Sequence, residues 1–168
     1  MKRLLALSTL ILATAAATAS GAVTIPRCTG TQLTGTFKVV PGSAGAGNIV
    51  YALVRKNRSS KVCSLTGLPQ GTLLNKAGKA QKTHVIAAFK GGLTAVFVTL
   101  RPGGSTKATA RFSPDVSGVG EGAAGKACEP TSYSFRVADQ GGGTTTVKLS
   151  PPTPVCEHGQ LQFSAYGH

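Results

Sequence analysis

Acidic residues are scarce in this 168-residue chain, which has five Asp and Glu against 18 Lys and Arg. None of the five occurs before Asp115. The formal net charge is +13, and it falls to about +11 if Lys2 and Arg3 leave with a signal peptide. A field of this sign favours encounters with polyanions and disfavours cationic partners. A solvated basic surface without a specific partner remains the alternative.

Other shortages exclude whole classes of site. Aromatic residues are only 5% of the chain, too few for the stacking platforms of single-stranded nucleic-acid binders, so no nucleic-acid partner is expected. The only methionine is Met1, which argues against soft copper ligation, and no Cys-x-x-Cys pair supports zinc. The run from Gly120 to Gly125 matches G-x-G-x-x-G by letter, but it follows a loop and opens no helix. We therefore predict no metal and no cofactor.

Residues suited to acid–base catalysis are equally few. Only His84, His158 and His168 could act as a histidine base, and the two aspartates lie in loops beside glycine or proline. Spacing alone does not rule out a triad through His84 or His158, because triads assemble in space. We therefore predict that the protein is not an enzyme. One alternative is an exported enzyme whose active site has no recognisable motif.

The amino terminus resembles a secretory signal. A cationic start at Lys2 and Arg3 precedes an apolar run, and Ala17-Thr18-Ala19 fits a small-x-small cleavage site. The apolar part is shorter than the roughly 20 residues that span a bilayer, which argues against a retained anchor. We predict a cleaved signal over residues 1–19, a secreted protein that associates with the cell envelope, and no transmembrane span after cleavage.

Four cysteines follow this signal: Cys28, Cys63, Cys128 and Cys156. In an exported chain an even number indicates disulfides, and four cysteines permit three connectivities. We favour Cys28 with Cys63 and Cys128 with Cys156, because each bridge then closes a local segment. The other two connectivities remain open.

Short runs of alternating apolar residues, separated by turns, recur along the rest of the chain. They lie at residues 36–40, 48–56, 61–66, 72–74, 83–89, 95–100, 107–112, 132–138, 144–149 and 161–166. No segment after the signal has a helical period. The pattern predicts one all-β domain over residues 28–168, an immunoglobulin-like sandwich of two sheets with about nine strands and two disulfides.

Two of these runs are apolar on both faces, which predicts internal strands. They are residues 48–56 and 95–100, and we expect the first to be the core partner of the segment 94–112. Between residues 100 and 105, Pro102 and Gly103 suit the two central positions of a type II turn. The sequence leaves open whether this turn makes a hairpin or carries the chain to a second sheet. The runs 132–138 and 144–149, joined by three glycines, predict a hairpin.

The densest cationic cluster lies around a predicted turn. Arg55, Lys56, Arg58 and Lys61 fall within seven residues, and together they form our candidate polyanion-binding patch. The alternative is a solvated hairpin tip. Asn57-Arg58-Ser59 also matches a glycosylation sequon.

Several short motifs resemble one family in order and content. They are C-T-G-T-Q-L at 28–33, C-S-L-T-G-L-P at 63–69, L-R-P-G-G-S at 100–105, Cys128, and P-V-C at 154–156. In this respect the chain is similar to the DUF4232 domains of exported actinobacterial proteins. The resemblance covers essentially the whole mature chain and implies a secreted β-sandwich, but it supplies no catalytic residues. Phe112 stands in a region where many similar domains are expected to have tryptophan, which implies a different packing there.

We therefore expect a monomeric, non-catalytic, secreted β-sandwich that binds an anionic cell-wall polymer, or another envelope partner, through its basic surface. A secreted inhibitor or protein-interaction module is a second hypothesis, with the loop at residues 113–126 as its contact. These hypotheses differ in which surface must be exposed.

Overall fold

A computed structural model of the protein describes residues 24–89, 97–122 and 128–167. The predicted signal peptide, at residues 1–19, lies outside the described residues, as do residues 94–96 of the segment 94–112 and the end of the loop 113–126. Within the described part, no helix has the length and apolarity needed to cross a membrane.

Apart from one short helical turn, all the regular elements of the described chain are strands, which confirms the all-β prediction. The elements are β1 (Leu33–Val39), β2 (Ile49–Asn57), β3 (Cys63–Thr66), β4 (Gln70–Leu74), β5 (His84–Ala87), β6 (Phe97–Leu100), β7 (Ser105–Phe112), β8 (Ser132–Ala138), β9 (Thr144–Thr153), the short turn α1 (Cys156–Gly159) and β10 (Gln160–Phe163). Most strands carry buried residues at every second position, as the alternation in the sequence predicted.

Eight strands form one large sheet in the order β4-β8-β9-β1-β2-β7-β10-β5, and β3 pairs with β6 in a small sheet. The strand β2 lies between β1 and β7, so its prediction as an internal strand is confirmed. The hairpin of β8 and β9 is confirmed as well. Between β6 and β7 the turn carries the chain from the small sheet to the large one, which answers the question that the sequence left open.

The internal position predicted for residues 95–100 is wrong for the part that the structure describes. There, β6 pairs only with β3, and Phe97 is 52% exposed. The guanidinium of Arg27 lies 5.5 Å from the centre of the Phe97 ring, a cation–π contact that covers part of it. Apolar residues on both faces therefore did not indicate burial in this strand.

The large sheet rolls over until its two ends approach each other, which makes it nearly barrel-shaped. Phe135 on β8 and Phe163 on β10 are five strands apart in the sheet, yet their ring centres are 5.8 Å apart. Phe37 on β1 lies 5.8 Å from Phe135 and 5.9 Å from Phe163. In a flat sheet five strand spacings would separate the two rings by about 24 Å. These three rings therefore mark the core across which the halves of the sheet face each other.

Both disulfides have the pairing favoured from the sequence, Cys28 with Cys63 and Cys128 with Cys156. The first joins the segment before β1 to β3. Beside it, the amide of Cys28 donates to the carbonyl of Ser64 at 2.9 Å. At the other end of the described chain, the amide of Tyr166 donates to the carbonyl of Gly67 at 3.1 Å. Both ends of the domain are therefore attached to β3 or to the residue that follows it.

Candidate functional site

The cationic cluster predicted from the sequence is divided between the core and the surface. Lys56, Arg58 and Lys61 are exposed, but Arg55 is fully buried at 0% exposure. The prediction that Arg55 belongs to a polyanion-binding patch is therefore wrong. The reason is the alternation along β2, in which Arg55 shares the inward face with Leu53. The same alternation was visible in the sequence and could have excluded it.

Inside the core, Arg55 pairs with Asp139, which follows β8. The Arg55 Nη2 lies 2.5 Å from Asp139 Oδ1, and the two side chains are 0% and 1% exposed. Thr145 Oγ1 donates to the second carboxylate oxygen at 2.7 Å. Burial raises the pKa of Asp139 above its ordinary value, and the Thr145 hydrogen bond and the Arg55 charge offset part of that rise. Among the described residues, Arg55 Nε and Nη1 have no hydrogen-bond partner.

The turn after β2 is built around Asn57, whose side chain is buried. Its Nδ2 donates to the carbonyls of Lys61 at 2.7 Å and Leu100 at 3.0 Å, while Oδ1 accepts the amide and the hydroxyl of Ser59. Both amide hydrogens are thus used and the residue is 0% exposed. The sequon at residues 57–59 is therefore closed to glycosylation in the folded protein.

A larger group of cations lies on the outside of the large sheet. Each is exposed and occupies an outward position on one of five adjacent strands, and together they are called the outer basic face: Arg136 (β8), Lys148 (β9), Lys38 (β1), Lys56 (β2), and Lys107 and Arg111 (β7). Apart from Lys56, none belongs to the cluster predicted from the sequence. The alternation within each strand indicated that these side chains point outward. The sequence did not reveal the order of the strands in the sheet, which brings the cations side by side.

No acidic residue neutralises this face from within the sheet. None of the ten strands of the described chain contains an Asp or Glu. The ion pairs found among the described residues involve Arg55, Lys82 and His158, and none involves a cation of the outer basic face. Unopposed positive charges on a shared surface add to a common potential, which attracts polyanions.

A groove of about 380 Å³ runs along this face between β9 and β1. Lys38 and Lys148 line it together with three hydroxyl side chains, Thr36, Thr146 and Ser150. Thr36, Thr146 and Ser150 are exposed, so their hydroxyls can meet a ligand from solvent. The groove therefore presents two ammonium groups and three hydroxyls to solvent.

The acidic residues collect instead at a turn closed by the second disulfide. Glu121 Oε2 accepts the amides of Gly118 and Glu157, both at 2.7 Å, and Oε1 accepts the amide of His158. Glu157 and His158 have positive φ angles of 54° and 58°, which point their amides at the carboxylate. Burial raises the pKa of Glu121, but the three amides and the charge of His158 together lower it by more, so the net shift of the pKa is downward.

The same turn has the one group of possible metal ligands found in the described part of the chain. Ligand atoms of Glu121, Glu129 and His158 lie within 4.8 Å of one another. The carboxylate of Glu121 already accepts three amides, and Glu129 lies 3.7 Å from the Lys82 ammonium. The Glu121 carboxylate therefore has its hydrogen bonds without an ion, and Glu129 forms an ion pair with Lys82, so the cluster is explained as part of the turn.

The two described histidines do not form a catalytic constellation with the residues around them. His84 is exposed at the start of β5. His158 is also exposed, and its ring contacts Glu121 at 3.4 Å and the carbonyl of Val119 at 3.1 Å. Among the described residues, neither ring is hydrogen-bonded to a serine, threonine or cysteine. The third histidine, His168, lies outside them.

Comparisons with curated proteins and with solved structures give no match. One family model matches residues 28–167, nearly the whole chain, and its description is "Domain of unknown function (DUF4232)". The chain belongs to the DUF4232 family.

Proposed function

We propose that this protein is a secreted, non-catalytic domain that binds anionic polymers of the cell envelope through its outer basic face. The observation that carries the proposal is the set of six exposed cations on five adjacent strands, with no acid in any described strand. The patch predicted at residues 55–61 is thereby replaced by a broader surface that keeps only Lys56 from it.

Two features of the chain support an extracellular location for this activity. The amino terminus has the pattern of a secretory signal, and the described cysteines are paired in two disulfides, which form and persist in oxidising compartments. Anionic polymers are abundant on cell surfaces, and the mature protein, with a net charge of about +11 after signal cleavage, meets them with a favourable long-range field.

The test is co-sedimentation of the mature protein with purified cell envelope as the salt concentration changes. For six contacts to a linear polyanion, we expect the affinity to fall about 300-fold between 50 and 200 mM salt. A fourfold variant changes Lys38, Lys56, Lys107 and Lys148 to Gln, and we expect it to lose most of the binding.

The matched control removes the same charge from exposed loop positions by changing Lys61, Lys76, Lys79 and Lys82 to Gln. If the control loses as much binding as the outer-face variant, the binding follows net charge and the proposal for this face is wrong. An absence of envelope binding by the unmodified protein at low salt would overturn the proposed function altogether.

A protein-interaction or inhibitor module is a second candidate. It is supported by the described part of the loop after β7, in which Val119 is 97% exposed and Val116 is 51% exposed. This candidate predicts that changing Val119 to Asp abolishes capture of one defined envelope protein and leaves polymer binding intact.

An exported enzyme with an unrecognised site is a third candidate, and a screen of hydrolase substrates with the His158→Ala variant as control would test it.

We also propose that the rolled sheet is a distorted form of the immunoglobulin-like sandwich expected from the sequence. Its support is the packing of Phe135 against Phe163 across the core, as between two facing sheets. The two halves of the sheet meet where β9 pairs with β1 over two residue pairs, Phe37 with Leu149 and Lys38 with Ser150. An experimental structure in which the strands of the facing halves lie at about 30° to each other would agree with the proposal, and one in which they cross at nearly right angles would contradict it.

A further inference from the structure

Three of the six cations of the outer basic face form a straight diagonal across the sheet. Arg136 on β8 lies opposite Thr146 on β9, and Lys38 on β1 lies opposite Ser150 on β9. Between these two positions of β9 comes Lys148. Each step along the diagonal is therefore one strand across and two residues along.

The spacing of this diagonal follows from sheet geometry. Strands are about 4.8 Å apart and two residues advance about 6.7 Å, so neighbouring Cα atoms on the diagonal are about 8 Å apart. The three positions span about 16 Å. A row of evenly spaced cations of this length matches a linear chain with charges at regular intervals better than it matches a single small anion.

The groove includes two of the three residues of this diagonal, Lys148 and Lys38, and its lining indicates the kind of anion. Thr146, Thr36 and Ser150 line the same groove as Lys148 and Lys38, so hydroxyl and ammonium donors are presented together. A tetrahedral phosphate or sulfate has oxygens in several directions and can accept from ammonium and hydroxyl donors at once, whereas a carboxylate has only two oxygens in one plane.

No aromatic residue lines the groove, which decides against ligands that bind by stacking. Its lining consists of Gly35, Thr36, Lys38, Thr146, Val147, Lys148 and Ser150. Nucleobases on single strands are held by aromatic stacking in addition to charge, and neither this groove nor the cations beside it offer that contact. The recognition available here is through charge and hydroxyl donors.

We propose that the diagonal of Arg136, Lys148 and Lys38, with its groove, binds a linear chain that carries tetrahedral oxyanions, either phosphate or sulfate esters. This inference rests on the proposed function and adds the class of polymer and its path across the sheet. The chain crosses β8, β9 and β1 in turn, and its oxyanions meet one cation on each strand.

Binding of long-chain inorganic polyphosphate, dextran sulfate and polygalacturonate to the mature protein tests the inference. We expect polyphosphate or dextran sulfate to bind at least 10-fold more tightly than the carboxylate polymer, and the stronger of the two shows whether phosphate or sulfate groups are preferred. Changing Arg136, Lys148 and Lys38 together to Gln should weaken that binding about 100-fold. Oligothymidylate serves as the nucleic-acid probe, and it should bind more weakly than polyphosphate.

The control variant changes Lys56, Lys107 and Arg111 to Gln, which removes the same charge from the same face but leaves the diagonal intact. We expect it to weaken binding about 10-fold or less. Amide chemical shifts of the unmodified protein give a readout that needs no variant, and polyphosphate should move those of Thr36, Lys38, Thr146, Lys148 and Ser150 most.

The outcomes separate this inference from the proposed function. If all three polymers bind equally, or if the two triple variants lose equal affinity, the inference is wrong while envelope binding by the outer basic face still holds. Oligothymidylate also carries phosphodiesters, so if it binds more tightly than polyphosphate, its bases add to the affinity and the exclusion of ligands that bind by stacking is wrong. If no polymer binds at low salt, both proposals fail together.

Discussion

Replacing Arg55 with methionine removes one partner of a fully buried ion pair and leaves Asp139 in the core. The Asp139 side chain is 1% exposed and would keep only the hydrogen bond from Thr145. Breaking a buried pair in this way typically costs about 3 to 5 kcal/mol of the free energy of unfolding. We expect a loss of this size, because the remaining carboxylate would be charged and unpaired, or would have to bind a proton.

The double variant Arg55→Met/Asp139→Ala should recover most of that loss and lie within about 1 kcal/mol of the unmodified protein. Two nitrogens of Arg55, Nε and Nη1, lack partners in the described structure, so the native pair is only partly satisfied and is easily replaced. Methionine is flexible enough to fill the space that the aspartate vacates. The difference between the double variant and the sum of the single ones measures the coupling of the pair.

Equilibrium unfolding in guanidinium chloride, followed by far-ultraviolet circular dichroism, provides the free energies, since the chain has no tryptophan to report by fluorescence. Lys56→Met is the matched control, because the neighbouring side chain is exposed, and it should change stability by less than about 0.5 kcal/mol. Additive losses in the double variant, or a loss below about 1 kcal/mol for Arg55→Met, would refute the account of this pair.

The same pair predicts a pH dependence. Burial raises the pKa of Asp139 in the folded protein above its unfolded value near 3.8, so the folded state binds the proton more readily. Its contribution to the free energy of unfolding therefore falls as the pH rises through the interval between the two values. Asp139→Ala should abolish this part of the pH profile, and a profile unchanged by the substitution would contradict the assignment.

Three further predictions concern the turns. Changing Glu121 to Gln should cost about 2 kcal/mol of the free energy of unfolding near neutral pH, because charged hydrogen bonds to three amides are lost. Since the pKa of Glu121 is lowered in the fold, the difference in stability between the two proteins should narrow as the pH falls below 4.5. A difference in melting temperature that stays constant with pH would be inconsistent with this. Changing Asn57 to Ala should cost about 3 kcal/mol in chemical unfolding, because four hydrogen bonds of the buried turn are lost, and a change below 1 kcal/mol would be evidence against its role. Changing Gly30 to Ala places a Cβ atom 2.6 Å from the carbonyl oxygen of Thr144 and should cost about 1 to 3 kcal/mol of the free energy of unfolding. The control Gly45→Ala, whose added Cβ meets nothing within 4 Å, should be nearly neutral. Equal melting temperatures of the two variants would exclude the steric explanation.

Local patterns in the sequence predicted the strands better than they predicted how the strands are arranged. The alternation in β2 and the three glycines between β8 and β9 correctly indicated an internal strand and a hairpin, because both depend on neighbouring residues. The parallel pairing of β10 with β5 joins residues more than 70 positions apart in the chain, and no local pattern encodes it. The outer basic face depends on such pairings, so its cations appeared in the sequence only as scattered lysines and arginines.

The prediction that Arg55 lies on the surface failed for a different reason, because the sequence pattern was misinterpreted. Proximity in the sequence to Lys56, Arg58 and Lys61 suggested a common surface, although the parity of β2 already placed Arg55 with Leu53 on the inward face. Its partner, Asp139, is 84 residues away, which is why no acidic neighbour marked the pair beforehand. Residue parity within a strand is therefore better evidence for a shared surface than density of charge along the chain.

Both ends of the described chain are attached at the same place, because the backbone amide of Cys28 is hydrogen-bonded to Ser64 and that of Tyr166 to Gly67. Termini that lie close together can be joined by a short linker without stretching the domain. A circularly permuted protein, opened at the exposed turn after β4 around Gly78, should therefore fold with the same sheet order. The same geometry would let the whole domain be displayed from a single stem.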